Sequence, residues 1–194
     1  MKQGTHRAHW LTHVNGLAAP TMLRPWLTDR MSLTQKLTTR AQQFRVRRLR
    51  QQRGLCLADE MAAVALPRRM GVQEREVLLL CDGEPMVFAH SIVPLSATAS
   101  DWPFFGGLGE RSLGTTLFGD PRVRRGALCY ARLSPAHPLF QRACAAADLQ
   151  GVRRLFARRC LYRRKNGLLL VTEIFLPMIA RLPRHAPVNP MNKM

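Results

Sequence analysis

Acidic side chains are scarce in this chain. Twelve Asp and Glu stand against 30 Lys and Arg in 194 residues, a formal net charge of +18. Long apolar runs are absent as well: stretches such as 77–80 fall far short of the roughly 20 residues that span a bilayer. The first 23 residues contain His, Trp and Gly but lack the greasy centre of a signal peptide. The five cysteines (Cys56, Cys81, Cys129, Cys144, Cys160) form no CxxC pair and are odd in number, so reduced, mostly buried thiols in a cytoplasmic protein are expected. No GxGxxG or strand–helix–strand alternation is present, which argues against a Rossmann domain. No internal repeat and no low-complexity tract interrupts the chain.

The length suits one domain with a core that needs no disulfides, and an apolar content of 46% fits a globule. The charge is unevenly placed. Residues 1–53 hold 11 Lys/Arg against one acid and residues 121–165 hold 12 against one, whereas residues 54–120 hold four against nine. Nucleic-acid binding is disfavoured, because no helix-turn-helix, zinc-finger or RNP pattern accompanies the arginines and they lie inside strand-like segments. A field that steers a small dianion inward accounts for them at least as well.

The patterning predicts an α+β fold: a single domain with a roughly six-stranded antiparallel sheet and about four helices. Residues 1–23 read as a flexible extension. His6, His9 and His13 within it have the spacing of one helical face, but no carboxylate or cysteine joins them, so a solvated tail is preferred to a metal site. Ser32 and Gln35 form a capping box for a helix through about residue 43, and residues 44–50 form an arginine-rich strand. A short helix is expected over 59–64. Asp82-Gly83 marks a tight turn, so residues 75–94 read as a hairpin. Residues 101–109 read as a mobile connection, and Ser112 as the cap of a helix over 113–118. A strand over 126–133 and a helix over 137–147 follow, with His137 at the helix start. A second hairpin, 153–164 with 168–176, turns across Asn166-Gly167.

Two ionisable residues interrupt apolar strands. Arg75 opens the first hairpin, and Glu173 stands alone inside LLLVTEIFLP at 168–177. A planar guanidinium there can grip a carboxylate through two parallel hydrogen bonds, and a lone carboxylate can orient a polar ring substituent. Each has a plain structural alternative: Arg75 paired with Glu74 or Glu76, and Glu173 in a salt bridge with one of the many arginines.

Residues 75–94, 113–118 and 172–177, in this order and spacing, resemble the chorismate pyruvate-lyase family, and the resemblance runs over roughly 24–178, with 179–194 as a tail. It implies an enzyme that eliminates pyruvate from chorismate to leave 4-hydroxybenzoate, the first committed step towards ubiquinone. No metal or other cofactor is implied. The resemblance also implies helices covering a buried ligand pocket. Arg75 aligns with the family's substrate-binding arginine and Glu173 with its active-site glutamate, so both are expected to bind substrate and to be catalytic. Leu33 and Leu113 align with further substrate-binding positions, and the Leu113 amide would contribute through the backbone. Leu33 stands where some members carry methionine. His90 stands where a familiar member carries arginine, a candidate second product site, with a histidine satisfied within the sheet as its alternative. A monomer acting on free chorismate is expected. The rival expectation is a non-catalytic effector-binding domain of the same fold, as in bacterial transcription regulators.

Overall fold

The structure, a computed structural model, describes residues 6–183. Six antiparallel strands, β1 (Phe44–Leu55), β2 (Gly71–Cys81), β3 (Glu84–Pro94), β4 (Val123–Leu133), β5 (Leu155–Arg164) and β6 (Gly167–Phe175), form one sheet in the order β1-β2-β3-β6-β5-β4. Two three-stranded meanders therefore meet along β3 and β6, so the middle of the sheet joins distant parts of the chain. This is the expected α+β architecture.

Alternation assigns each strand residue to a face. On β2, Val77, Leu79 and Cys81 belong to a core with Trp26, Leu33 and Leu113, which lie on the short helices α1 (Arg24–Thr28), α2 (Leu33–Thr38) and α3 (Leu113–Gly119). Leu78 and Leu80 belong to a second core under α4 (Pro138–Ala146), whose Leu139, Phe140 and Ala143 are buried. A third, smaller cluster holds Cys56, Val72 and Ile92.

Local chemistry explains where the elements depart from expectation. Helix α2 starts as read, with Gln35 N donating to Ser32 Oγ at 3.3 Å, but it stops at Thr38. The hydroxyls of Thr38 and Thr39 bond back to the carbonyls of Thr34 and Lys36, the local competition that favours helix ends. Residues 58–65 form successive turns rather than a helix. Residues 101–109, expected to be mobile, bury Trp102 and Phe105 completely, worth about 2–3 kcal/mol each in apolar burial. His137 does cap α4, accepting from Leu139 N at 3.2 Å.

The described part of the expected N-terminal extension is packed. Leu11 exchanges two backbone hydrogen bonds of 2.8 Å with Tyr130 on the outer edge of β4, and Leu17 is buried in the first core. Trp10 Nε1 donates to Asp59 at 2.9 Å on the far face. His6, His9 and His13 lie exposed on non-helical backbone, so the helical metal face does not form. At the other end the expected boundary at 178 falls inside the 3-10 turn Pro177–Arg181, where Ile179 is fully buried. Residues 1–5 and 184–194 lie outside the described residues.

Candidate active site

The two strand residues singled out from the sequence line one cavity. It holds about 540 Å³ of empty space, its open mouth included. Its floor is the sheet and its cover is the pair α2 and α3. Thr34 Oγ1 and Ser112 Oγ, 2.6 Å apart, tie the two helices together. A side chain at Gly114 would meet Thr34 Oγ1 at 2.8 Å, which is why this crossing needs glycine. Ser112 therefore does not cap α3 as expected; its hydroxyl is engaged in the clasp.

Register sets the spacing of the polar groups. Arg75 pairs with Ser91, which pairs with Val171; Ala89 pairs with Glu173, which pairs with Arg158. Arg75 and Glu173 are thus two strands and one pleat apart, roughly 12 Å between backbones. Their side chains converge on the cavity, leaving a gap between a cation and a carboxylate.

Arg75 is 2% exposed, and neither Glu74 nor Glu76 pairs with it. Its Nη2 donates to the carbonyls of Gly109 (3.0 Å) and Arg111 (2.7 Å), and its Nε is buried without a partner. The loop whose Trp102 and Phe105 are buried thus presents two carbonyls that hold the guanidinium over the cavity. Burial, reinforced by repulsion from Arg48, lowers the Arg75 pKa to about 10. A buried guanidinium with an unsatisfied donor and no carboxylate is prepared for an anionic ligand.

Glu173 is held by Arg158, whose Nε donates to Oε2 at 2.5 Å. Arg158 was not singled out from the sequence, yet it is 1% exposed and its Nη1 donates to the carbonyls of Trp26 and Asp29 at 2.8 and 2.7 Å. The structural alternative for Glu173 is therefore partly realised: it is salt-bridged, but inside the cavity, and no described donor reaches its Oε1. Leu33 and Leu113, the first residues of α2 and α3, also line the cavity and are buried. Tyr162 lines it too, and burial raises its pKa, keeping the phenol neutral.

His90 lies elsewhere. It is 1% exposed on the opposite face of the sheet, with Nδ1 3.1 Å from Glu76 and Nε2 3.1 Å from Glu60. The second contact lies off the hydrogen-bond line and acts as a charge pair. Burial alone would lower the His90 pKa, but the two carboxylates outweigh it and raise it to about 10. Glu76 responds in kind: burial opposes its charge, but His90 and Arg142 bring its pKa down to about 2. As placed, His90 satisfies a buried ion network and does not line the cavity.

Glu74, Glu76 and His90 bring donor atoms within 4.8 Å of one another, the geometry of a metal site. Two arginines already occupy them. Arg142 Nη1 lies 2.7 Å from Glu76 and 3.6 Å from Glu74, and Arg50 Nη1 lies 3.3 Å from Glu74. The donor set suits an ion network better than a cation site.

Sheet, cavity and uncompensated arginine together define an α+β domain built to enclose a small anionic molecule. The fold is shared with bacterial regulator domains: a GntR-family transcriptional regulator from Bacillus cereus (TM-score 0.53, 9% identity, 69% of this chain and 92% of that one) and the C-terminal domain of the histidine utilization repressor from Pseudomonas syringae (0.53, 8%, 74% and 98%). At such identities the likeness concerns the fold alone. Sequence comparison is more specific. The chorismate lyase family model matches residues 5–183. Proteins named probable chorismate pyruvate-lyase are similar over most of their length: 48% identical in Cupriavidus metallidurans (94% of this chain, 86% of that protein) and 43% in Ralstonia nicotianae (91% and 84%). The chain belongs to the chorismate lyase family.

Proposed function

We propose that this protein eliminates pyruvate from chorismate to give 4-hydroxybenzoate, the entry reaction towards ubiquinone, with Arg75 and Glu173 as its catalytic residues. Family membership supports the reaction. The observation that supports these roles is a cavity with an unpaired, buried guanidinium at one side and a single carboxylate at the other.

In the reaction the ether bond between ring carbon three and the enolpyruvyl oxygen breaks. Hydrogen leaves ring carbon four, and its bonding electrons complete the aromatic ring. The departing enolpyruvyl group becomes pyruvate when its methylene carbon gains a proton. Aromatisation supplies the driving force, so the protein's task is to grip, orient and exclude water. Arg75 holds the ring carboxylate through its free donors, assisted by the Leu113 backbone amide at the start of α3. Glu173 accepts a hydrogen bond from the ring hydroxyl at Oε1, while Arg158 keeps Oε2 in place. That contact fixes the ring and raises electron density beside the carbon–hydrogen bond that breaks. Leu33 and Leu113 close the apolar walls over the ring.

The protein acts as a monomer in the cytoplasm in this reading. Both sheet edges carry features that oppose pairing: β1 exposes Arg45, Arg47, Arg48, Arg50 and Arg53, and Leu11 occupies the β4 edge at Tyr130. All five cysteines are free, and no described helix is long and apolar enough to cross a membrane. Purified protein mixed with chorismate should produce 4-hydroxybenzoate and pyruvate in equal amounts. Unchanged chorismate, under conditions where the protein is folded, would refute the assignment.

A further inference from the structure

Chorismate carries two carboxylates, and Arg75 accounts for one. The ionisable cavity residues other than tyrosine are Arg75, Arg125, Arg158 and Glu173. Arg158 and Glu173 neutralise each other at 2.5 Å, which leaves two uncompensated cations for a dianion. We infer that Arg125 binds the enolpyruvyl carboxylate and so discriminates substrate from product; the inference rests on the lyase reading above.

The backbone is shaped to place this side chain. Arg125 pairs with Tyr162 and Leu128 with Cys160, so Gly126 and Ala127 together oppose the single residue Leu161. This bulge lets Arg125 share the cavity face with Leu128, although three positions separate them. Glycine is required at the bulge, because a side chain at Gly126 would meet the Leu161 carbonyl oxygen at 2.9 Å. The guanidinium then lies over two rings, 5.5 Å from the Phe118 centroid and 6.0 Å from that of Tyr162. Its Nη1 donates to the Arg30 carbonyl.

The donor left over is the informative one. Arg125 Nε is buried and makes no hydrogen bond, and the Cys160 thiol beside it is at best a weak acceptor. A bulge that turns an arginine into a cavity, aromatic walls around it and an unsatisfied buried donor together describe an anion subsite. Phe118 is 48% exposed, so this subsite lies towards the solvent side of the cavity, where the side chain that leaves as pyruvate can depart.

The test separates two anions. Arg125→Met keeps an unbranched stem and removes the charge. Chorismate kcat/KM should fall on the order of 10- to 100-fold, whereas the dissociation constant of 4-hydroxybenzoate, which lacks the second carboxylate, should change by no more than about twofold. Arg125→Lys should recover part of the loss. Retained product binding also reports that the variant is folded. Equal losses for substrate and product, or an unchanged chorismate efficiency, would overturn the assignment. If Arg125→Met does not fold, the wild-type protein and Arg125→Lys carry the test with 3-(carboxymethoxy)-4-hydroxybenzoate and its uncharged counterpart 3-ethoxy-4-hydroxybenzoate. Wild type should prefer the dianion and Arg125→Lys should prefer it less; no preference in wild type would refute the subsite. These binding arms need no turnover, so their failure is distinguishable from failure of the lyase reading.

Discussion

Arg75→Met should separate stability from catalysis. In the free protein the guanidinium is 2% exposed, and burial with Arg48 nearby lowers its pKa from 12.5 to about 10. A shift of that size corresponds to about 3 kcal/mol against the charged form. Methionine removes this burden but leaves the carbonyls of Gly109 and Arg111 without their donor, a loss of about 1.5 kcal/mol each. The two effects nearly cancel, so the melting temperature should move by only a few degrees, corresponding to about 1 kcal/mol. Catalysis has no such compensation. Losing a charge-assisted grip on the ring carboxylate should cost on the order of 2–4 kcal/mol in kcat/KM, roughly 30- to 1,000-fold. Thermal melting and chorismate turnover, measured on the same preparation, give both numbers. A kcat/KM within about threefold of wild type together with a melting point lowered by about 10 °C would refute the reasoning and make Arg75 a structural tie.

Glu173→Gln keeps size and one acceptor but removes the charge beside the ring hydroxyl, so kcat should fall by more than KM rises in steady-state assays. An equal rise in KM with kcat intact would reduce Glu173 to a binding group. Stability should depend on pH through His90. Its folded pKa of about 10 lies above the ordinary 6.5, so its contribution is complete below pH 6.5 and is lost as pH rises towards 10, on the order of a few kcal/mol. Glu76 acts at the other end: its contribution is complete above pH 4.5 and is lost as pH falls towards 2. Melting curves of His90→Gln should lack the alkaline slope, and its inhibition constant for 4-hydroxybenzoate should stay within about twofold of wild type, since His90 does not line the cavity. A large change in that constant would return His90 to the product's path. Activity should survive EDTA, because arginines occupy the carboxylates of the Glu74–Glu76–His90 cluster; loss on chelation with recovery on adding a divalent ion would contradict this.

Arg75 and Glu173 were legible because a charge on an apolar strand must have a reason. The hairpin at Asp82-Gly83 was legible because both residues take positive φ, 52° and 86°. Register was not legible, and the misplaced and missed residues trace to it. An unbroken hairpin from Asp82-Gly83 would put His90 opposite Arg75. A bulge at Met86, between the pairs Leu80–Pro85 and Leu79–Val87, slides the partner to Ser91 and turns His90 to the other face.

The second hairpin differs in the same way. Its turn is Lys165–Asn166, with Lys165 at φ 52°, and Gly167 begins β6, where a side chain would collide with Asp101 at 2.4 Å. A turn at Asn166-Gly167 would set Cys160 opposite Glu173; the observed turn sets Arg158 there. Nothing else distinguishes Arg158 from Arg159 or Arg163 in that arginine-rich strand. Arg125 was hidden by its bulge in the same manner. The packing of the described N-terminal residues was not legible because Trp10 and Leu11 find their partners, Asp59 and Tyr130, only in the folded chain.

A crystal structure of the protein bound to 4-hydroxybenzoate tests the central claim most directly. The account predicts the ring in the cavity beneath α2 and α3, its carboxylate within hydrogen-bonding distance of Arg75 and its hydroxyl at Glu173. A product seated outside that cavity, or reversed so that its carboxylate faces Glu173, would contradict it.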